Sequence, residues 1–175
     1  MRRSPAAIAL AAAIAFASGD PALAQGTEVS VGGLRADPTL PVEVTSDSLA
    51  VSQTDGTATF KGNVIIGQGE MRISAEQVVV EYEDAERTRI ERLIGTGGVT
   101  MVSGDSAAEA AEATYTIDTA TVVMTGEVLL TQAGSAMSGE KLTVDLTTGA
   151  GRMEGRVKSV VQGGGDGDGR RAAAH

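Results

Sequence analysis

The 175-residue chain has no cysteine and no tryptophan, and it carries only four prolines, two phenylalanines, two tyrosines and one histidine, His175. Without cysteine no disulfide can staple the fold, so burial and backbone pairing must hold it. A lone histidine at the last position, with no Gly-x-Ser-x-Gly and no phosphate-cradling glycine loop, leaves no nucleophile and base to assemble. Catalytic residues are therefore not expected, and the chain does not read as an enzyme. Scarce aromatics give poor material for stacking on bases or sugar rings. Basic residues are outnumbered, 14 against 23 acidic, for a formal charge of −9. That balance repels phosphate backbones, which excludes nucleic acid as an expected partner.

Carboxylate pairs such as Glu81 with Glu83 and Glu109 with Glu112 read as a solvated acidic surface. The run GGGDGDG from Gly163 is one imperfect copy of a calcium-binding roll without the strand residue that should follow each turn. No metal and no cofactor is assigned.

What is present begins with an export signal. Arg2 and Arg3 precede an apolar run from Ala6 to Ala17, and Ala22-Leu23-Ala24 forms a small-x-small cleavage site. The run is shorter than the roughly 20 residues of helix that span a bilayer. Residues 1–24 are expected to be cleaved, placing the mature chain outside the cytoplasm, in the periplasm, with a charge of −10. The remaining length of about 150 residues suits one domain with one core.

Residues 25–41, with Gly32, Gly33, Pro38 and Pro41, read as a flexible lead-in. From Val42 to Val161 the chain is rich in Val, Ile and Thr with period-2 alternation, broken by turn residues about every 8–12 positions. This predicts an all-β domain over 42–161. The window AAEAAEA, Ala107 to Ala113, favours helix by composition, but it is short and lies between strand patterns, so it is read as part of a strand. Residues 162–175 read as a disordered Gly-rich tail.

Two markers recur with a fixed phase. Gly62, Gly97, Gly126 and Gly155 each stand two residues before a valine, at intervals of 35, 29 and 29. Asp47, Glu76, Ala111 and Glu140 each precede alternating apolar residues, at intervals of 29, 35 and 29. The distance from the second marker to the next glycine is 15 residues in three units and 21 in the one from Glu76. The six extra residues fall in the charged turn EDAERTR, Glu83 to Arg89, where a loop absorbs them. Four strand-turn-strand units of about 30 residues, each too small to bury its own apolar face, predict a stacked architecture. A glycine inside each strand pattern predicts a bend or bulge, hence a layered, half-opened sandwich.

Period-2 reading then gives the inward face. Phe60, Val64 and Ile66 share a side, followed by Ile73, Val78 and Val80, then Val99 and Met101, then Tyr115 and Ile117. Met124, Val128 and Leu130 follow, then Met137, Leu142 and Val144. Such an interior is thin and aromatic-poor, and pliant methionines suit variable apolar ligands as well as ordinary packing.

The strings VTSDSLAV (Val44–Val51), TFKGNVIIGQGEMRISAEQVVVEY (Thr59–Tyr82) and VVMTGEVLLTQAGSAMSGEKLTVDL (Val122–Leu146) resemble the OstA-like family of lipopolysaccharide transport. The resemblance implies a β-jellyroll of antiparallel strands opened into a V, whose groove holds the acyl chains of lipid A. It implies that the inward residues just named face lipid. It further implies end-to-end stacking, with head-to-tail homo-oligomers, into a bridge between membranes during outer-membrane assembly. An inner-membrane-anchored jellyroll protein, LptC-like, would meet the amino-terminal edge at Val42, Val44, Leu49 and Val51. An outer-membrane barrel protein, LptD-like, or the next copy would meet the carboxy-terminal edge at Met153, Val157 and Val160. The alternative from the repeats alone is a structural or adhesive β-solenoid-type extracytoplasmic protein with no lipid ligand.

Overall fold

A computed structural model describes residues 26–31, 33–83 and 88–161. The expected signal peptide, 1–24, and the expected tail, 162–175, lie outside the described residues. Among the described residues, eleven strands account for the regular structure: β1 (Thr27–Ser30), β2 (Glu43–Thr45), β3 (Ser48–Ser52), β4 (Thr57–Gln68), β5 (Met71–Tyr82), β6 (Ile90–Ser103), β7 (Ser106–Thr116), β8 (Thr121–Gln132), β9 (Ser135–Asp145), β10 (Ala150–Glu154) and β11 (Lys158–Val160). All pair antiparallel in one sheet ordered β1-β10-β9-β8-β7-β6-β5-β4-β2, with β3 also on β4 and β11 also on β9. The all-β jellyroll-like architecture expected from the sequence is what forms. The alanine-rich window lies in β7, where strand pairing on both sides overrides helix propensity.

The sheet is creased along a line that crosses β4 to β9. Ladders shift register between Lys61 and Val64, Ser74 and Gln77, Thr96 and Val99, Glu109 and Glu112, and Thr125 and Val128. At each shift the even-numbered strand carries one residue more than the odd-numbered strand, two against one in the β4–β5, β6–β7 and β8–β9 ladders and three against two in the β5–β6 and β7–β8 ladders, which is a bulge. The doubled residues include Gly62, Gly97 and Gly126; the single opposing residues are Glu76, Ala111 and Glu140. Both recurring markers of the sequence therefore lie on the crease. Because the bulged strand spends one extra residue there, its partner changes which parity points inward. Buried positions in β9 accordingly pass to Leu142 and Val144, beyond Glu140, while β8 keeps Val122, Met124, Val128 and Leu130 in one phase.

The crease folds the sheet onto itself. Tyr115 lies in register with Leu93, Val80 and, on β4, Ala58. In a flat sheet it would be three strands and about ten residues from Gln68, on the order of 35 Å. Its hydroxyl instead donates to Gln68 Oε1 at 2.7 Å. One layer thus holds β3, β10, β1 and the crease-proximal halves that pair with them, such as Thr57–Lys61; the other holds β2, β11 and halves such as Val64–Gln68.

Within the expected lead-in, the described residues include a strand. Thr27–Ser30 pair with Met153–Ala150, and Val31 and Leu34 are fully buried. The alternation Val29, Val31 is a short strand signal, and its partner lies more than a hundred residues away in the chain.

Candidate functional site

Among the described residues, the interior between the layers forms one apolar cluster. Thirteen of the residues assigned inward from the sequence are buried: Val64, Ile66, Ile73, Val78, Val80, Val99, Met101, Tyr115, Met124, Val128, Leu130, Leu142 and Val144. Phe60, Ile117 and Met137 are partly buried and pack against that cluster. The structure brings all of them to one space, because each strand alternates on either side of the crease and the bulges reset the phase.

Sequence reading missed several residues of the same space. Met71 and Leu93 are buried there, as are Val31 and Leu34 from the amino-terminal segment. It also missed the polar members. Gln68 is 1% exposed and joins the layers, accepting from Tyr115 and donating from Nε2 to the Leu40 carbonyl at 3.0 Å. Burial pushes the Tyr115 hydroxyl up to about 12. Gln68 continues the inward phase of Val64 and Ile66, but its polar side chain reads as outward, so the phase alone marks it.

Val31 and residues 33–40 run along the rim opposite the crease and touch both layers. The Val31 amide donates to the Gly149 carbonyl and the Ala36 amide to the Leu146 carbonyl, both on the β9–β10 turn. Asp145 shapes that turn by accepting from the Thr147 and Thr148 amides, bonds that, with that of Thr148 foremost, hold its carboxyl below the usual range. On the other layer Ser103 Oγ donates to the Arg35 carbonyl at 3.0 Å. Gly33 lies against Ser106, so closely that a Cβ there would fall 2.1 Å from its Oγ. Ser106 Oγ is buried without a hydrogen-bond partner among the described residues.

At the carboxy-terminal end, Leu130 and Met137 also line a pocket of about 280 Å³ with Ser135, Ser159 and Val161. Among the described residues no group of three His, Cys, Asp or Glu converges as a metal site.

The edges differ from their sequence assignment in one respect. Val42 and Val44 are partly buried beside the core, whereas Leu49 and Val51 of β3 are 56% and 51% exposed. Val157 is partly buried and Val160 of β11 is 69% exposed. Met153, assigned to the carboxy-terminal edge, is not at an edge: β10 pairs with β9 on one side and β1 on the other, and Met153 is fully buried. The outer strand of that layer is β1.

Residues 43–150 match the family model described as LptA/(LptD N-terminal domain) LPS transport protein. An uncharacterized protein of Rhizobium meliloti (strain 1021) is 28% identical over 166 residues, covering 89% of each chain. The lipopolysaccharide export system protein LptA of Escherichia coli (strain K12) is 31% identical over 109 residues, which span 59% of this chain and 58% of that protein. The fold is similar to the crystal structure of LptH from Pseudomonas aeruginosa, described as the LptA-homologous periplasmic component of its lipopolysaccharide transport device. That match has a TM-score of 0.65 at 18% identity, over 73% of this chain and 99% of that one. With more than half of its length matched by the family model, the chain belongs to the LptA/(LptD N-terminal domain) family of lipopolysaccharide transport proteins.

Proposed function

We propose that this protein is a periplasmic carrier that shields the acyl chains of lipid A between its two layers and passes lipopolysaccharide along a bridge from inner to outer membrane. The observation that carries the reading is the apolar interior itself, which runs unbroken from β4 to β10 beneath a creased sheet and is lined by thin side chains. At roughly 0.8 kcal/mol per methylene, one fatty chain in water carries on the order of 10 kcal/mol of exposure penalty. A continuous apolar space is what carrying it across an aqueous compartment requires. Partners at the two ends are, on this reading, an inner-membrane-anchored jellyroll protein at β2 and β3 and a barrel protein or a further copy at the β10–β11 end.

Photo-crosslinkers at Phe60, Val80, Met124 and Leu142 should label lipopolysaccharide, and those at Thr59, Lys61 and Thr125 should not. Equal labelling of the two sets would remove the interior from consideration. The tight packing at Val64, Val78 and Met124, each fully buried, supports the second reading of a structural β-solenoid-type protein without lipid. No labelling at any of the seven positions would favour it.

A further inference from the structure

The carboxy-terminal end of the fold is uneven. Counting outward from β9, one layer ends at β11 while the other continues through β10 to β1. At the amino-terminal end the layers are level, with β2 and β3 each lying one strand beyond β4. Strand direction shows what this means for a neighbour stacked head to tail in the same orientation. Every ladder is antiparallel, so β10 and β11 run with β4, whereas β1, β2 and β3 run against it. The next copy's β2 would meet β11 antiparallel. Its β3 would meet β10 antiparallel if β1 were absent, but would meet β1 parallel, and one strand spacing of about 4.8 Å out of step between the layers.

Side chains agree with the directions. Leu49 and Val51 of β3 alternate with outward positions and lie in register with Phe60 and Ala58 of the interior, yet they are exposed. On β10 the interior-facing positions are Gly151 and Met153, and β1 sets Val29 opposite Gly151. A Cβ on Gly151 would fall 3.2 Å from Val29 and 2.9 Å from Val31, so the bare α-carbon is filled by the amino-terminal segment. β1 has four residues and Val29 is its buried side chain; β3 and β10 have five residues each. β1 also lies outside the residues matched by the family model.

We propose that β1 is an intramolecular cap, holding on β10 the place that β3 of a second copy takes in an assembly, and that it must leave before copies stack. Leu49 and Val51 of the incoming strand would then cover Gly151 and Met153 as Val29 does in the single chain. The inference rests on the stacking in the proposed function.

Glu28 and Arg152 are register partners on the outer face of this ladder, joined by an ion pair at 3.3 Å, and the chain has no cysteine of its own. In the full mature chain, the double substitution Glu28→Cys, Arg152→Cys should form a disulfide that fixes β1. Light scattering over a range of concentrations should find the oxidised protein monomeric and the reduced protein associated to the extent of wild type. Equal association of both forms would overturn the cap and leave stacking intact. Hydrogen exchange supplies a readout independent of assembly: the Val31 amide, held by Gly149, should exchange at least tenfold faster than amides of β7 and β8 in the monomer. Exchange of all three together, through global unfolding, would make β1 a fixed part of the fold and refute the proposal. Early exchange at Val31 with no association of wild type or reduced protein at any concentration would instead sink the stacking reading, and the cap's role with it.

Discussion

Ala111 stands where a side chain on Gly126 would have to be: a Cβ built on Gly126 falls 2.7 Å from the Ala111 Cβ, and the glycine backbone is at φ +83°. The bend and the close approach are one requirement, since the residue that turns the strand also receives the neighbouring strand against it. Gly126→Ala should therefore cost more than backbone strain alone, about 2–4 kcal/mol against the 1–2 typical of placing an ordinary residue at positive φ. Gly56→Ala provides the comparison, being at φ +63° with nothing within 4 Å. Adding Ala111→Gly to Gly126→Ala should recover the steric part only. Urea denaturation of the set checks this, and equal losses at Gly56 and Gly126 would show that contact with Ala111 contributes nothing.

That pair also shows why so much of the fold was legible. The recurrence of Gly126 and Ala111 in phase with Gly97 and Glu76 reported a crease, because a bulge imposes glycine on one strand and a fixed partner on the next. Period 2 on either side of it then supplied the interior. Illegible features were those whose cause lies far along the chain. β1 is four residues long and reaches a partner separated by 124 positions at Glu28 and Arg152. Gln68 is polar and inside only because Tyr115 and the Leu40 carbonyl, brought from the other layer and from the rim, satisfy it.

Ser106 gives a prediction of the opposite sign. Ser106 is 2% exposed, beneath Gly33, and its hydroxyl finds no partner among the described residues. An unpaired buried hydroxyl carries a desolvation penalty of about 1–3 kcal/mol. Ser106→Ala should raise stability by about 1 kcal/mol, read as a higher urea midpoint at unchanged slope. A loss of stability would mean that the hydroxyl is satisfied in solution.

The exposed pair on β3 should matter to assembly and not to folding. Leu49 and Val51 lie on an edge strand with more than half of their surface open. Leu49→Lys with Val51→Lys should shift the monomer's stability by no more than about 0.5 kcal/mol, as for exposed positions generally. The same change should abolish concentration-dependent association, since it would bury two charges against Gly151 and Met153 of the neighbour. Sedimentation velocity of the variant and wild type at matched concentrations decides it, and unchanged association would exclude β3 from the contact.

Tyr115 makes stability depend on alkaline pH. Burial lifts its hydroxyl from 10.0 to about 12. Between those values an unfolded chain has released this proton and the folded chain has kept it, so the folded state binds more protons and stability falls as pH rises. The contribution is whole below pH 10 and is lost as pH climbs from 10 through 12. Two units correspond to on the order of 2–3 kcal/mol at 1.36 kcal/mol per unit. The informative quantity is the difference from Tyr115→Phe. At neutral pH that variant should be less stable by about 1–2 kcal/mol, because Gln68 Oε1 loses its donor inside the fold. As pH rises the gap should close and then reverse, with the phenylalanine protein falling less steeply. Parallel curves for the two proteins from neutral pH to 12 would mean that the Tyr115 hydroxyl reaches water, and that the strut between the layers is open in solution.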